Sequence, residues 1–274
     1  MVAKDLEFYS TEVVVQGTAK AKGWQNPGEE VALRMVAPLV RSKRILDLGV
    51  GGGRTVGLLA LLTEQYVGVD YSPGMVAACQ ARYPDKDFRV VDVRDMSMFE
   101  DGSFEFVFFA GSGIDTVDEQ DRKKVYKEIQ RILTNDGIFV FSTLNKDGCS
   151  YAESPFQFHR PGQPFDRSRR AAIRFILRNA SDPLRLPRRY RNWRSAKRRR
   201  VQGEGWAICA MAAHDFILMN HFVTLERLRA ELDEADFSVI AMLGSDSYEG
   251  ALPPEMTTNH SDFLYAVVQK RQFS

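Results

Sequence analysis

The turn ILDLGVGGGR, residues 45–54, limits what this chain can fold into more than any other stretch. An apolar run carries Asp47, and glycines follow at 49, 51 and 53. Glycine lets the backbone turn tightly and approach a ligand with no Cβ in the way. A helix is expected to begin around Arg54, and its first N–H groups have no partner inside the helix. A glycine-rich strand-to-helix turn suits more than one ligand class. The dinucleotide pattern G-x-G-x-x-G, started at Gly49, needs a glycine where Arg54 stands. An acid also sits inside the strand, two residues before the first glycine.

The surrounding rhythm fixes the architecture. Between 43 and 143 the segments KRILDLG, YVGVD, FRVVDV, FEFVFFA and IFVFST read as five strands. Before the fifth, DEQDRKKVYKEIQRIL places Val125, Ile129, Ile132 and Leu133 on one helical face. Asp118 is its expected N-cap, and NDG at 135–137 its expected end. Strands rich in Val, Ile and Phe that alternate with helices predict an α/β fold with a parallel sheet covered on both faces. After 144 the rhythm gives way to a Pro- and Arg-rich stretch reaching about 200. It resumes with a helix at TLERLRAELDEADF, a strand near SVIAML and a last strand at DFLYAVVQK. A chain of 274 residues suits one domain with a sizeable insertion.

The acids at the strand ends narrow the ligand. Asp70 closes the second strand, where a carboxylate can accept both hydroxyls of a ribose. Asp92 follows the third, suited to an adenine amino group. Between them DYSPGM offers Ser72 as a helix N-cap and Met75 as an apolar cover for a purine. Any one of these acids alone also reads as a strand-end cap; the ordered set does not.

With these motifs the chain resembles the class I S-adenosylmethionine-dependent methyltransferases over residues 43–143, and loosely over the closing helix and strands. The resemblance implies a Rossmann-like sheet of seven strands, the last antiparallel, with helices on both faces. It implies S-adenosylmethionine as cofactor and S-adenosylhomocysteine as product. Asp47, Gly49, Gly51 and Gly53 would lie along the methionine part, Asp70 with Tyr71 at the ribose, and Asp92 with Val93 at the adenine. Ala110 and an N-terminal aromatic, Tyr9, would complete the pocket, and no metal is expected. One departure is NDG where the family has PGG before the fifth strand. The resemblance also divides the chain into an N-terminal helical lid (1–40), a cofactor-binding core (41–145), a basic, mainly helical recognition insertion (146–215) and the rest of the core sheet (216–274).

Methyl transfer from a sulfonium is an in-line displacement, so the protein mainly positions the acceptor and lets its proton leave. Asp115, just past the fourth strand in FFAGSGIDTV, is the first candidate for that side; a helix-capping aspartate is the other reading. His221 in MNHFVTLERL is the second, against a packed or surface histidine. His214 and His159 rank lower. The N/D-P-P-Y/F motif of amino methyltransferases acting on nucleic acid is missing. So is a proline-flanked cysteine for cytosine C5 chemistry. Expected is methyl transfer to an oxygen or nitrogen of a small-molecule or glycan-type acceptor, anionic or lipid-linked included. An RNA methyltransferase docking through its arginines, and a cofactor-fold protein that does no methylation, are the alternatives.

Charge is distributed unevenly. Residues 151–200 hold fifteen Lys/Arg against three Asp/Glu, a local balance of +12 that leaves −11 on the rest. In SRRAAIRFILRN, Arg170, Arg174 and Arg178 form one helical stripe opposite Ala172, Phe175 and Ile176. In RRYRNWRSAKRRR, residues 188–200, eight of thirteen side chains are cationic, with charge nearly all round. A solvated lid pairing with the acidic body, an anionic acceptor or lipid surface, and nucleic acid all fit, the last least because only Tyr190 and Trp193 could stack on bases. No run of about 18 apolar residues is present, and MVAKDLEFYS lacks a signal-like apolar stretch. Cys79, Cys149 and Cys209 lie far apart, which suits reduced thiols in a cytoplasmic protein, peripheral at a membrane surface if the basic insert docks there. The oligomeric state is not legible.

Overall fold

A computed structural model describes residues 8–20, 23, 25–156, 173, 184–248 and 250–272. The stripe at 168–179, apart from Ile173, and His159 lie outside these residues. β1 (Ile45–Leu48), β2 (Tyr66–Asp70), β3 (Asp87–Val90), β4 (Phe104–Phe109) and β5 (Leu133–Asn145) are the five expected strands. They run parallel in the order β3-β2-β1-β4-β5. Beyond β5 lies β10 (Phe263–Lys270), antiparallel both to it and to β9 (Phe237–Gly244).

Neighbouring side chains along these strands enter opposite cores. Leu46, Val107 and Phe139 pack with Val125, Ile129 and Leu228 on one face. Ile45, Phe106 and Val140 pack with Ala32, Leu33 and Val36 on the other. Burial on both faces is why these strands read as continuous apolar runs rather than alternating ones.

The helices are α1 (Glu12–Ala19), α2 (Pro27–Val40), α3 (Val56–Leu59), α4 (Pro73–Arg82), α5 (Glu119–Ile132), α6 (Arg185–Arg199) and α7 (Leu225–Glu234). Asp118 caps α5 as expected, accepting from the N–H groups of Gln120 and Asp121. Two boundaries differ from the sequence reading. α3 is a single turn starting at Val56, because residues 51–55 are spent on the glycine turn. NDG does not end α5. The helix stops at Ile132, and Leu133 turns extended to pair with Phe104, so Asn135–Gly137 lie in β5. Ser72 stands at the N-cap of α4 with no side-chain cap bond; its hydroxyl meets that of Ser10 instead.

The chain after α6 supplies three strands across the expected 215/216 boundary, which the sequence reading did not foresee. β6 (Val201–Gly203), β7 (Trp206–Ala210) and β8 (Met219–Val223) form an antiparallel unit. β5 outruns β4, and β8 pairs with that overhang through Leu144 and Asn145. The unit therefore stands over the C-terminal end of β4 and packs on the short turn Gly113–Thr116. α6 closes it from outside, burying Ala196 against Ile208, Ala210 and Phe216.

Candidate active site

The glycine turn is held from behind. Val50 N–H donates to the Val69 carbonyl and Gly53 N–H to that of Val50. Asp70 then joins two loops: its carboxylate accepts from Gly51 N–H at 2.9 Å and from Ser72 N–H at 2.9 Å. Burial raises this carboxyl above its ordinary value, and the backbone donors oppose the rise. Gly51 has φ +53°, and a Cβ built on it meets only the Gly49 carbonyl at 3.9 Å. The direction a side chain would take is open space. It opens onto a cavity of about 250 Å³.

Gly49, Gly51, Asp70, Tyr71, Met75, Asp92, Val93, Ala110 and Tyr9, all expected at the cofactor, line that cavity. Met75 is braced by the Thr18 hydroxyl of α1, 3.3 Å from its sulfur. The sequence reading missed two cavity-wall arginines. Arg54 forks onto the fully buried Glu29 at 2.6 and 2.7 Å, tying the glycine turn to α2. Arg94 grips both oxygens of Asp92 and reaches Asp121 at 2.7 Å, holding the Asp92 carboxyl below its usual range. A signal for Arg94 was present, since it stands two residues after the acid in VVDVR.

Four expected site residues lie elsewhere. Gly53 packs under the turn on Tyr83 and Cys79. Asp47 is behind it, accepting from Thr55 Oγ1 at 2.7 Å and Tyr66 Oη at 2.9 Å, so it fixes the turn from inside. Asp115 is fully buried away from the cavity wall. Its oxygens take Arg122 at 2.9 Å, the Thr143 hydroxyl at 2.6 Å and Leu144 N–H at 2.7 Å, which leaves it satisfied and not offered to an acceptor. His221 is buried too, with Nε2 2.8 Å from Glu119 and its ring stacked on Trp206. Glu119, His221 and Glu231 approach closely enough to hold a cation, but Arg227 at 3.1 Å and Arg122 at 2.9 Å already sit on the two carboxylates.

Burial pushes Asp47 from 3.8 to about 7. The unfolded chain ionises first, so the fold loses stability as pH rises through that window, by at most about 4 kcal/mol. Asp47→Asn removes the charge while keeping an oxygen for Thr55 and Tyr66. Its Tm relative to the wild type is expected to rise between pH 5 and pH 8. A difference flat with pH would show that this carboxyl does not titrate there.

An open wall of glycine, a buried acid beyond β2 and a second acid beyond β3 fit an adenosyl cofactor, and the sheet order is that of the Rossmann-like methyltransferases. Comparison with known proteins agrees. Residues 46–141 match the family model described as a methyltransferase domain. A probable S-adenosylmethionine-dependent methyltransferase of Mycolicibacterium smegmatis is 26% identical over 136 residues, 49% of this chain and 51% of that protein. The ubiquinone biosynthesis O-methyltransferase of Xanthomonas euvesicatoria is 23% identical over 165 residues, 55% of this chain and 67% of that protein. The fold matches Burkholderia thailandensis 1,6-didemethyltoxoflavin-N1-methyltransferase, solved with 1,6-didemethyltoxoflavin and S-adenosylhomocysteine bound. The TM-score is 0.56 at 12% identity, covering 98% of this chain and 87% of that one. Residues 46–141 thus carry a methyltransferase-domain match, the chain has the fold of the class I S-adenosylmethionine-dependent methyltransferases, and its match spans about half the length of the first of these relatives.

Proposed function

We propose that the protein transfers the methyl group of S-adenosylmethionine to an oxygen or nitrogen of a small-molecule or glycan-type acceptor. When bound, the cofactor supplies an electrophilic methyl on a sulfonium leaving group. The protein's share is to hold the acceptor and take its proton.

One observation carries this reading: buried side-chain atoms of Ser112, just past β4, and of His214 and Asn220 complete no well-aligned hydrogen bond. Ser112 is left-handed at φ 58°, fixed by its N–H donating to Ser142 Oγ at 2.9 Å, and its own Oγ has no hydrogen bond. Its neighbours Gly111 and Gly113 line the cavity. His214, from the turn between β7 and β8, stands edge-to-face on Tyr9 with centroids 6.4 Å apart, and Tyr9 faces the cavity. The Asn220 side chain approaches this imidazole, yet Nδ1 of His214 and Oδ1 of Asn220 complete no well-aligned hydrogen bond. Buried polar groups left open in this way call for a ligand's polar atoms. Burial lowers His214 below 6.5, so at neutral pH the ring is uncharged and suited to receive a proton. The named relatives support the acceptor class: one is an O-methyltransferase of ubiquinone biosynthesis, the other an N1-methyltransferase of 1,6-didemethyltoxoflavin.

The test is S-adenosylhomocysteine formation across phenols, amines and glycans. With an acceptor in hand, His214→Gln is expected to lower kcat about 100-fold with cofactor affinity unchanged. The wild-type rate should climb to a plateau through an apparent pKa below 6.5. An unchanged kcat removes His214 from the reaction; no turnover in any acceptor class removes the reading itself. A cytoplasmic setting fits the three free cysteines, and no described helix is long and apolar enough to cross a membrane.

A further inference from the structure

The arginines of α6 are the largest feature the transfer reading does not use. Helical spacing sorts them. Arg189 and Ala196 face the protein; Arg189 pairs with Asp215 at 2.8 Å and lies over the Phe216 ring. Arg191, Arg194 and Arg198 point the other way, Arg199 lies to the side in the last turn, and all four are exposed. Among the described residues none supplies these four with an ion pair or hydrogen bond. Among the described residues, Arg185 and Arg189 of the helix pair with Asp215, within the insertion. These four exposed arginines do not pair with the acidic body.

Beside this cationic face runs an apolar one. Leu184 (68% exposed), Phe156 (52%) and Tyr190 (40%) flank it. Tyr190 stacks on Trp193 at 6.0 Å, Phe156 tilts against Tyr190 at 5.6 Å, and Lys197 Nζ sits 5.1 Å over the indole. A nucleic-acid base stacks on an open ring face. Here Tyr190 and Trp193 stack on one another and the lysine lies over the indole, which leaves little open ring face for a base. Cations next to exposed apolar side chains, on a helix about 22 Å long, match the boundary between headgroups and acyl chains. The remaining −11 would keep the rest of the molecule off an anionic bilayer.

We propose that α6 docks the protein on an anionic phospholipid bilayer, through Arg191, Arg194, Arg198 and Arg199 to headgroup phosphates and through Leu184, Phe156 and Tyr190 to the acyl boundary. Docking meets the cavity through one turn. Arg189 and Asn192 both hold Asp215, whose neighbour His214 stands on Tyr9. An amphiphilic acceptor in the bilayer would thus face the same turn that closes the methyl-transfer end.

Co-sedimentation with phosphatidylglycerol/phosphatidylcholine vesicles tests this without any acceptor, so its failure is separate from failure of the transfer reading. The full chain is expected to bind these vesicles at low salt, to leave them as salt rises, and to ignore pure phosphatidylcholine. Each arginine replaced by glutamine should cost about fivefold in affinity, and R191Q/R194Q/R198Q/R199Q together several hundred-fold. Unchanged calorimetric affinity of that variant for S-adenosylmethionine verifies its fold. Phe156→Ser with Tyr190→Ser should weaken binding with little change in its salt dependence. No association at low salt, equal association with neutral vesicles, or full association by the quadruple variant each overturns the proposal. So does a single-stranded RNA that displaces the protein from vesicles and binds it more tightly.

Discussion

Gly51→Val is expected to abolish S-adenosylmethionine binding, with at least a thousandfold loss of affinity by calorimetry. Position 51 combines two requirements. Its φ of +53° is one a β-branched residue adopts only under strain, at about 1–3 kcal/mol. The space beyond its Cα is the cavity itself, so the new methyl groups would stand where the cofactor must lie. Asp70→Asn is the milder companion. It loses the charge that accepts Gly51 and Ser72 N–H, and about 10- to 100-fold in affinity is expected. Circular dichroism separates a misfolded variant from one that has lost its ligand. Undiminished affinity in both would mean that the turn does not hold the cofactor.

Arg122→Met carries the largest expected cost in stability. This guanidinium is 1% exposed and reaches Asp115 and Glu231 at 2.9 Å each and Thr143 Oγ1 at 3.2 Å. Its removal leaves buried Asp115 without its cation and Glu231 with only the more distant Arg227 at 3.5 Å, a loss of about 3–5 kcal/mol. The carboxyl of Asp115 already stands at about 6 through burial, with Arg122 opposing the rise. Without the arginine it goes higher. Folded carboxyls raised above their unfolded values lose stability as pH rises, so the variant should be weakest in denaturant at pH 7.5 and recover part of the loss at pH 5. Adding Asp115→Asn should cost less than the two single changes summed, because the partners form one network. Strict additivity would show that they act independently.

That network also explains why Asp115 was misread. From the sequence it is an acid just past β4, where an acceptor-side carboxylate belongs. Its side-chain donors are Arg122 of α5, which it shares with Glu231 of α7, and the Thr143 hydroxyl of β5, and no local pattern announces their convergence. His221 was misread for a similar cause. It reads as a loop histidine before α7, but the chain there is β8, and strand alternation turns its ring to Glu119 and Trp206. His214 ranked low because nothing in its neighbourhood predicts that the turn after β7 folds back onto Tyr9. Asp92 sits where the reading placed it, though its carboxylate is already occupied by Arg94.

What the sequence determined by itself was the parallel sheet, its two-sided cover, the glycine turn, and the acids that close β2 and β3. Those features follow from side-chain periodicity, backbone permissiveness and capping, which act over a few residues. The tertiary structure alone decided the rest. It set Asp47 behind the turn, sealed Asp115 with an arginine, extended β5 so that β8 could dock beside it, and left four arginines of α6 exposed. Those outcomes depend on which distant groups meet in the interior, where the cost of a lone charge or an unpaired polar atom selects partners that no short stretch of chain contains.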